Sequence, residues 1–158
     1  MSLVAVEDLP ALLPPHGALI GLDLGSKVIG VAISDVMRSI ASPHLGHPRA
    51  KTFAKTAQPL VDLAVKERAG GWIIGLPLNM DGSEGPSAQS ARAFARNLAN
   101  LTPLPIVLWD ERLSTAAVTR TLLDADASRR RRDEVVDKMA AAYILQGALD
   151  RLRFLSRS

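Results

Sequence analysis

The sequence predicts a mixed α/β domain in which a five-stranded sheet carries helices on both faces. Three closely spaced apolar runs predict an antiparallel meander, and two later apolar runs, each reached through an amphipathic segment, predict two parallel strands. The chain has 158 residues, 47% of them hydrophobic, which suffices for one core. We therefore expect a single domain over residues 17–155 and a flexible N-terminal extension over residues 1–16.

The individual elements follow from periodicity and from turn-forming residues. Strands are expected at about 18–24, 28–34, 39–42, 72–76 and 105–109, with Pro43 closing the third. Apolar residues at helical spacing predict helices at about 51–68, from Pro86, from Ser114 or Thr115, and at about 133–154. Gly70 and Gly71 are expected to end the first helix, and residues 77–85 to form a polar loop.

Composition narrows the class of protein. The chain contains no cysteine, which excludes a disulfide framework and a thiolate metal site and fits a reducing cytoplasm. Its net charge of +3 and pI of about 9.7 are compatible with a polyanionic partner without demanding one. The first 16 residues do not read as a signal peptide, and no segment reaches membrane-spanning length. We expect a cytoplasmic protein with no membrane partner.

Carboxylates stand at three places that a sheet and a helix could bring together. Asp23 lies in a strand that is apolar on both faces, where burying an unpaired carboxylate would cost several kcal/mol, so a cationic partner is expected. Asp110 and Glu111 follow the fifth strand, and Asp137 lies at the edge of the apolar face of the last helix. An oxygen-only set suits Mg²⁺ or Mn²⁺, and two such ions roughly 3.5–4 Å apart can clamp a phosphodiester.

Each candidate also has a purely structural interpretation. Asp23 could hydrogen-bond the following turn, residues 110–112 could form a surface ion-pair cluster, and Asp137 could be an exposed helix acid. The arginine run at 129–132 could be a solvated loop. The histidines lack metal-ligand spacing and receive no ligand role; they are His16, His44 and His47.

Four segments, in order, carry a family resemblance: residues 21–35, 75–83, 110–115 and 136–146. Together they closely resemble the motifs of the YqgF family, also called RuvX, which comprises Holliday junction resolvases or pre-16S rRNA nucleases with a ribonuclease H-like fold. The resemblance covers about residues 18–150 and leaves the first 16 residues outside it. Any one motif alone would be weak, whereas four in the right order are specific.

The resemblance implies a metal-dependent nuclease in which Asp23, Glu111 and Asp137 hold Mg²⁺ or Mn²⁺ and water attacks the phosphorus, leaving a 5′-phosphate and a 3′-hydroxyl. The fourth strand ends without the carboxylate that related folds place there, so Glu111 is expected to replace it, with Asp110 as the fallback. The residues expected to contact substrate phosphates are Lys27, Arg112, Arg129, Arg130, Arg131 and Arg132.

The resemblance favours processing of the 5′ end of pre-16S rRNA in ribosome biogenesis, with resolution of branched DNA at Holliday junctions as the alternative. Two remoter alternatives are a fragment of an actin-like ATPase, whose phosphate hairpin also begins Asp-Leu-Gly, and a nucleic-acid-binding scaffold that has lost its chemistry. Nucleic acid is the expected partner, as RNA or branched DNA, and both a monomer and a homodimer remain open.

Overall fold

The structure, a computed structural model, describes residues 3–113 and 129–156, with the side chains of 129–137 outside that description. Across these residues six strands form one sheet in the order β1-β6-β5-β2-β3-β4. The strands are β1 (Leu3–Val4), β2 (Leu19–Leu24), β3 (Val28–Ser34), β4 (Ala41–Pro48), β5 (Gly71–Leu76) and β6 (Ile106–Asp110). Within the described residues the α-helices are α1 (Phe53–Lys66), α2 (Pro86–Ala99) and α3 (Arg129–Ser156), and the helix expected from Ser114 or Thr115 lies outside them.

Strand pairing confirms the predicted arrangement and adds one strand to it. The strands β2, β3 and β4 form the antiparallel meander, and β5 and β6 continue the sheet in parallel beside β2. The expected count of five strands is wrong by one, because β1 pairs in parallel with β6 through Leu3 and Val4. A two-residue strand is too short to show a period in the sequence.

The two faces of the sheet bury different helices. Alternation along the strands sends Ile20, Leu22 and Ile74 into a core with α1 and α2. Their neighbours Leu19 and Ile73 pack instead against the apolar stripe of α3. Helices therefore cover both faces, as predicted.

The third strand of the meander is longer than expected. Pro43 does not close it, since β4 continues to Pro48 and accommodates the proline in a bulge opposite Val31 and Ala32. In the described sheet β4 is an edge strand, where proline is tolerated because one side of the strand makes no ladder bonds.

Helix ends also differ from the expectation. The first helix, α1, is capped by Thr52, whose hydroxyl oxygen accepts from the Lys55 amide at 3.2 Å. It ends because Arg68 adopts a left-handed φ of 52° and Ala69 N donates to Ala64 O at 2.9 Å, so Gly70 and Gly71 do not terminate it. The last helix begins at Arg129 and not near Asp133, which places the arginine run in helical backbone.

The N-terminal segment, expected to extend flexibly from the domain, packs on it from residue 3 onward. A 3-10 helix, Val6–Ala11, inserts Leu9, which is 0% exposed, into the core against α3. Arg38, in the turn after β3, donates to the carbonyls of Pro14 and Gly17, each at 2.9 Å. Prolines at 10, 14 and 15 hide this packing from a periodicity argument.

None of the helices in the described part of the chain has the length and apolar character needed to span a bilayer.

Candidate active site at the carboxyl edge of the sheet

Asp23 is held rigidly inside the sheet. It is the fifth residue of β2, pairs with Gly30 of β3, and is only 4% exposed. Leu22 pairs with Ile74, so Asp23 lies one step further along, beside Gly75 of β5. Strand alternation places Asp23 on the face that α3 covers.

Glu111 reaches back over the neighbouring strand. It opens the 3-10 turn Glu111–Leu113 directly after β6 and is 5% exposed. A Cβ added at Gly75 would lie 3.1 Å from its Oε2 and 3.2 Å from its Cδ. The carboxylate of Glu111 therefore occupies the room that a side chain at position 75 would need, at the end of the strand that lacks an acid of its own.

Asp23 and Glu111 line the same cleft, which has a volume of about 90 Å³. None of the described residues lining it is Lys or Arg; the others are Leu24, Gly75, Pro77, Ser87 and Ala91. Two buried carboxylates facing one small space form an oxygen-rich, negative donor set, which fits a hard divalent cation such as Mg²⁺ or Mn²⁺.

Helix α3 approaches this region closely because two glycines face it. A Cβ at Gly21 would lie 2.7 Å from Leu145 Cβ, and one at Gly75 would lie 2.6 Å from Ile144 Cδ1. The other end of α3 lines a cavity with Arg38, where β2 begins, so the start of the helix lies toward the edge that carries Asp23.

Position 137 is one helical turn before Ala141 and falls on the same stripe of α3 as Ala141 and Ile144, both buried against the sheet. The side chain of Asp137 is outside the described part, and among described residues no three His, Asp or Glu side chains are grouped to hold a metal. Asp137 as third ligand stays a prediction.

Asp110, the fallback ligand, is engaged elsewhere. Its carboxylate accepts from Arg112 Nη2 at 2.8 Å, Arg112 Nε at 3.1 Å and the Arg112 amide at 2.9 Å. The Arg112 side chain holds the pKa of the Asp110 carboxyl below its ordinary value, and Asp110 in turn raises the pKa of Arg112. This pairing favours Glu111 over Asp110 as the residue that faces the cleft.

Arg112 also forms a hydrogen bond to the loop of residues 77–85. Its Nη1 donates to the carbonyl of Met80 at 3.3 Å. Within the loop, Asp81 Oδ1 accepts from the Ser83 amide at 2.9 Å and from the Ser83 hydroxyl at 2.6 Å, and the pKa of Asp81 is lowered chiefly by that hydroxyl. These contacts give Arg112 a structural role; its contact with a substrate phosphate remains a prediction.

The other residues predicted from the sequence either lie around the site or have side chains outside the described part of the structure. Lys27 is exposed on the turn between β2 and β3. The four arginines of the run, Arg129, Arg130, Arg131 and Arg132, begin α3, and their side chains are not described. His47 Nε2 lies 3.0 Å from the carbonyl of Thr56, and His16 and His44 are exposed.

Sequence reasoning missed two residues, Gly75 and Arg49. A glycine inside an otherwise apolar strand could have signalled a close approach at position 75. No sequence signal distinguishes Arg49, which lies just after β4 and donates its backbone N–H to the Lys27 carbonyl at 2.8 Å.

The mixed sheet and its acidic cleft define a ribonuclease H-like fold of the RuvC kind. The structure aligns with T. thermophilus RuvC in complex with Holliday junction substrate at a TM-score of 0.55, with 13% identity, over 87% of this chain and 97% of that chain. A second Thermus thermophilus RuvC structure aligns at a TM-score of 0.52 over 86% of this chain and 96% of that one, with 13% identity. These likenesses confirm the predicted fold class.

The model of the RuvX family, described as "Holliday junction resolvase", matches residues 17–151. The chain therefore belongs to the RuvX family of nucleases, as its motifs predict. A protein of Paracoccus denitrificans is 60% identical over 153 residues, 97% of this chain and 96% of the relative. One of Methylocella silvestris is 62% identical over 152 residues, 96% and 94% of the two chains. Each relative is named "Putative pre-16S rRNA nuclease".

Proposed function

We propose that this chain is a metal-dependent nuclease that hydrolyses phosphodiester bonds of structured nucleic acid, with the 5′ end of pre-16S rRNA as its substrate. The observation that carries the proposal is the pair of buried carboxylates, Asp23 and Glu111, lining one cleft at the carboxyl ends of β2 and β6. Open α/β sheets bind their ligands at this edge. Membership of the RuvX family and the names of the relatives support the choice of reaction and substrate.

Asp23 and Glu111 are the residues that would hold Mg²⁺ or Mn²⁺, with Asp137 as the proposed third ligand and Asp110 as the fallback. When bound, the ions supply positive charge that activates the attacking water and stabilises the charge developing on the phosphoryl oxygens. A buried pair of like charges is costly by itself, so the fold gains stability wherever a divalent cation neutralises it.

The protein contributes a rigid setting with some apolar surface. Asp23 is fixed by the strands on both sides of it, and Glu111 is set in place by the turn after β6 and by the gap at Gly75. Leu24, Pro77 and Ala91 line the cleft with apolar surface, which lowers the local dielectric and strengthens charge interactions with a bound phosphate. Ser87 supplies a hydroxyl that can donate to a phosphate oxygen.

A Holliday junction is the second candidate substrate, because the family model carries that description. Cleavage of a junction requires two cuts and favours a homodimer, whereas trimming of an RNA end can be done by a monomer. Ribosomal RNA processing would place the protein in the cytoplasm.

The test compares an RNA spanning the 5′ end of 16S rRNA and its precursor sequence, a four-way DNA junction and single-stranded DNA, each with Mg²⁺, Mn²⁺ or EDTA. We expect metal-dependent cleavage of the RNA that leaves a 5′-phosphate. E111Q should lose this activity, whereas the matched variant E84Q, which removes a carboxylate paired with Arg92 outside the cleft, should keep it. Full activity in EDTA would contradict the metal-dependent reaction, and preferred cutting of the junction would replace the RNA with DNA as substrate.

A further inference from the structure

A groove of about 360 Å³ with one cationic side chain lies beside the cleft that holds the two acids. Its walls come from the turn after β2 and from the start of α2, and its lining consists of Leu24, Gly25, Ser26, Arg49, Pro86, Ser87 and Ser90. Leu24 and Ser87 line both the groove and the cleft, so a strand of substrate in one can pass into the other.

The guanidinium of Arg49 is fixed in this groove by contacts on two sides. Its Nε donates to the carbonyl of Gly25 at 2.7 Å, and its Cζ lies 5.7 Å from the centroid of the Phe94 ring. Phe94 is itself held edge-on by Phe53, with 5.2 Å between ring centroids. A guanidinium held in this way loses little further freedom when it binds an anion.

Arg49 differs from two other arginines of the described region in what it faces. Arg92 is paired with Glu84 at 2.7 Å and Arg112 with Asp110 at 2.8 Å. Within the described residues Arg49 forms no ion pair. Its side-chain hydrogen bond to Gly25 uses Nε, so neither terminal nitrogen is bonded to a described residue. Burial lowers its pKa, but a guanidinium remains charged at neutral pH. A partly desolvated cation of this kind favours an anionic ligand from outside the chain.

We propose that Arg49 binds a backbone phosphate of the nucleic acid next to the one that is cleaved, and so positions the strand in the active cleft. This inference rests on the proposed nuclease function. Gly25, which Arg49 contacts, is two residues after Asp23, a span of at most about 7 Å between Cα atoms, so the bound phosphate lies within reach of the neighbouring linkage. The hydroxyls of Ser26 and Ser90 supply further donors to the same phosphate.

The test measures binding of a fluorescein-labelled single-stranded RNA 20-mer, and of the same sequence as DNA, in EDTA at several salt concentrations. R49M keeps an aliphatic stem over Phe94 and removes the charge, R49K keeps the charge, and R96M removes an exposed charge elsewhere on α2. We expect R49M to weaken binding of both oligonucleotides about 5–10-fold and to lower the slope of log K against log salt by about 0.7. R49K should keep a slope close to that of the wild type, and R96M should change affinity less than about twofold.

Equal affinity and slope in R49M and R96M would overturn the proposal, as would absence of binding by the wild type. A loss in R49K as large as in R49M would also overturn it, since the bracing of Gly25 and not the charge would then matter. If R49M does not fold, as judged by its melting curve, R49Q replaces it.

Cleavage is measured separately with Mg²⁺ and Mn²⁺. R49M should raise KM and leave kcat within about twofold. A wild type that binds but does not cleave refutes the nuclease and leaves the phosphate contact standing.

Discussion

The carboxylate of Glu111 lies over the α-carbon of Gly75, on the neighbouring strand of the sheet. A side chain at position 75 would meet Glu111 Oε2 at 3.1 Å on one side and Ile144 Cδ1 at 2.6 Å on the other. A side chain at position 75 would therefore disturb both the packing of α3 and the placement of the Glu111 carboxylate. Mutations can separate these two effects.

Gly75→Ala should reduce both stability and turnover. The added methyl group overlaps Ile144, which should cost about 1–3 kcal/mol, and it also presses on the Glu111 carboxylate. In the double variant G75A/I144V the clash with Ile144 Cδ1 is removed, so the melting temperature should recover while turnover stays low. I144V alone is the control, with a cost of about 0.5–1.5 kcal/mol and near-normal turnover. Full recovery of turnover in the double variant would show that Gly75 serves packing only.

Glu111→Gln and Asp110→Asn should have opposite effects. E111Q should lower turnover roughly 10²-fold or more, the scale of losing one preorganised charge, and should not lower the melting temperature of the metal-free protein. D110N breaks the pairing with Arg112 and releases the contact of Arg112 with the loop at Met80, so it should mainly lower stability. If D110N abolishes cleavage with an unchanged melting curve while E111Q stays active, the assignment of the second ligand is reversed.

Asp23→Asn should abolish cleavage while the protein stays folded, and should raise the melting temperature of the metal-free protein because it removes one of two like charges from the cleft. Mg²⁺ at about 100 times its Kd should stabilise the wild type by about 2.7 kcal/mol, or roughly 5–10 °C for a chain of this size. Differential scanning fluorimetry with and without Mg²⁺ or Mn²⁺ measures both effects. An equal metal-induced shift in D23N would place the metal elsewhere.

Stability should depend on acid pH through Asp110. Because Arg112 lowers the pKa of Asp110 in the folded state, the pairing stabilises the fold above the ordinary carboxyl value of 3.8, and this contribution is lost as the pH falls through the lowered value. The difference in free energy of unfolding between wild type and D110N should thus be largest near neutral pH, about 0.5–1 kcal/mol, and vanish in strong acid. D62N, which removes a carboxylate bonded to the neutral amide of Gln58, is the control. A difference that grows with acidity would contradict the linkage.

The arginine run at the start of α3 should contribute to affinity and not to bond cleavage. Replacing Arg129, Arg130, Arg131 and Arg132 with serine should weaken binding about equally across sequences and flatten its salt dependence. Titrations at several salt concentrations, with kcat measured at saturating substrate, separate affinity from turnover. An unchanged affinity and slope would leave the run as a solvated part of the helix.

The sequence was sufficient to predict the bounds of the strands that are buried on both faces. The bounds of β2, β3, β5 and β6 agree with the prediction to within about one residue, because continuous apolar runs bounded by turns have few other interpretations. It was insufficient to predict the length of β4 or the existence of β1. The extension of β4 past Pro43 depends on its being an edge strand, and β1 owes its existence to the exposed side of β6, both of which are properties of the assembled sheet.

In the candidate site, too, some residues could be predicted from the sequence and others depend on tertiary contacts. Asp23 could be singled out from the apolar strand that contains it and Glu111 from the strand before it, and the structure brings both to one cleft; their binding of metal remains a prediction. The glycine inside an apolar strand could have signalled a close approach at position 75, but that Glu111 makes this approach depends on strand register, and the role of Arg49 depends on the packing of Phe94. Such contacts join residues far apart in the chain, so the sequence does not show which residues will meet.

The pairing of Leu3 and Val4 with Ile106 and Val107 has a consequence for the order of assembly. Leu3 and Val4 can complete the sheet only after about 100 further residues have been added, a wait of roughly 5–20 s at ordinary rates of translation. Until β6 emerges, Leu9 has no completed pocket to enter. A nascent chain arrested before residue 106 should therefore expose residues 3–11 to proteases, whereas the finished domain protects them.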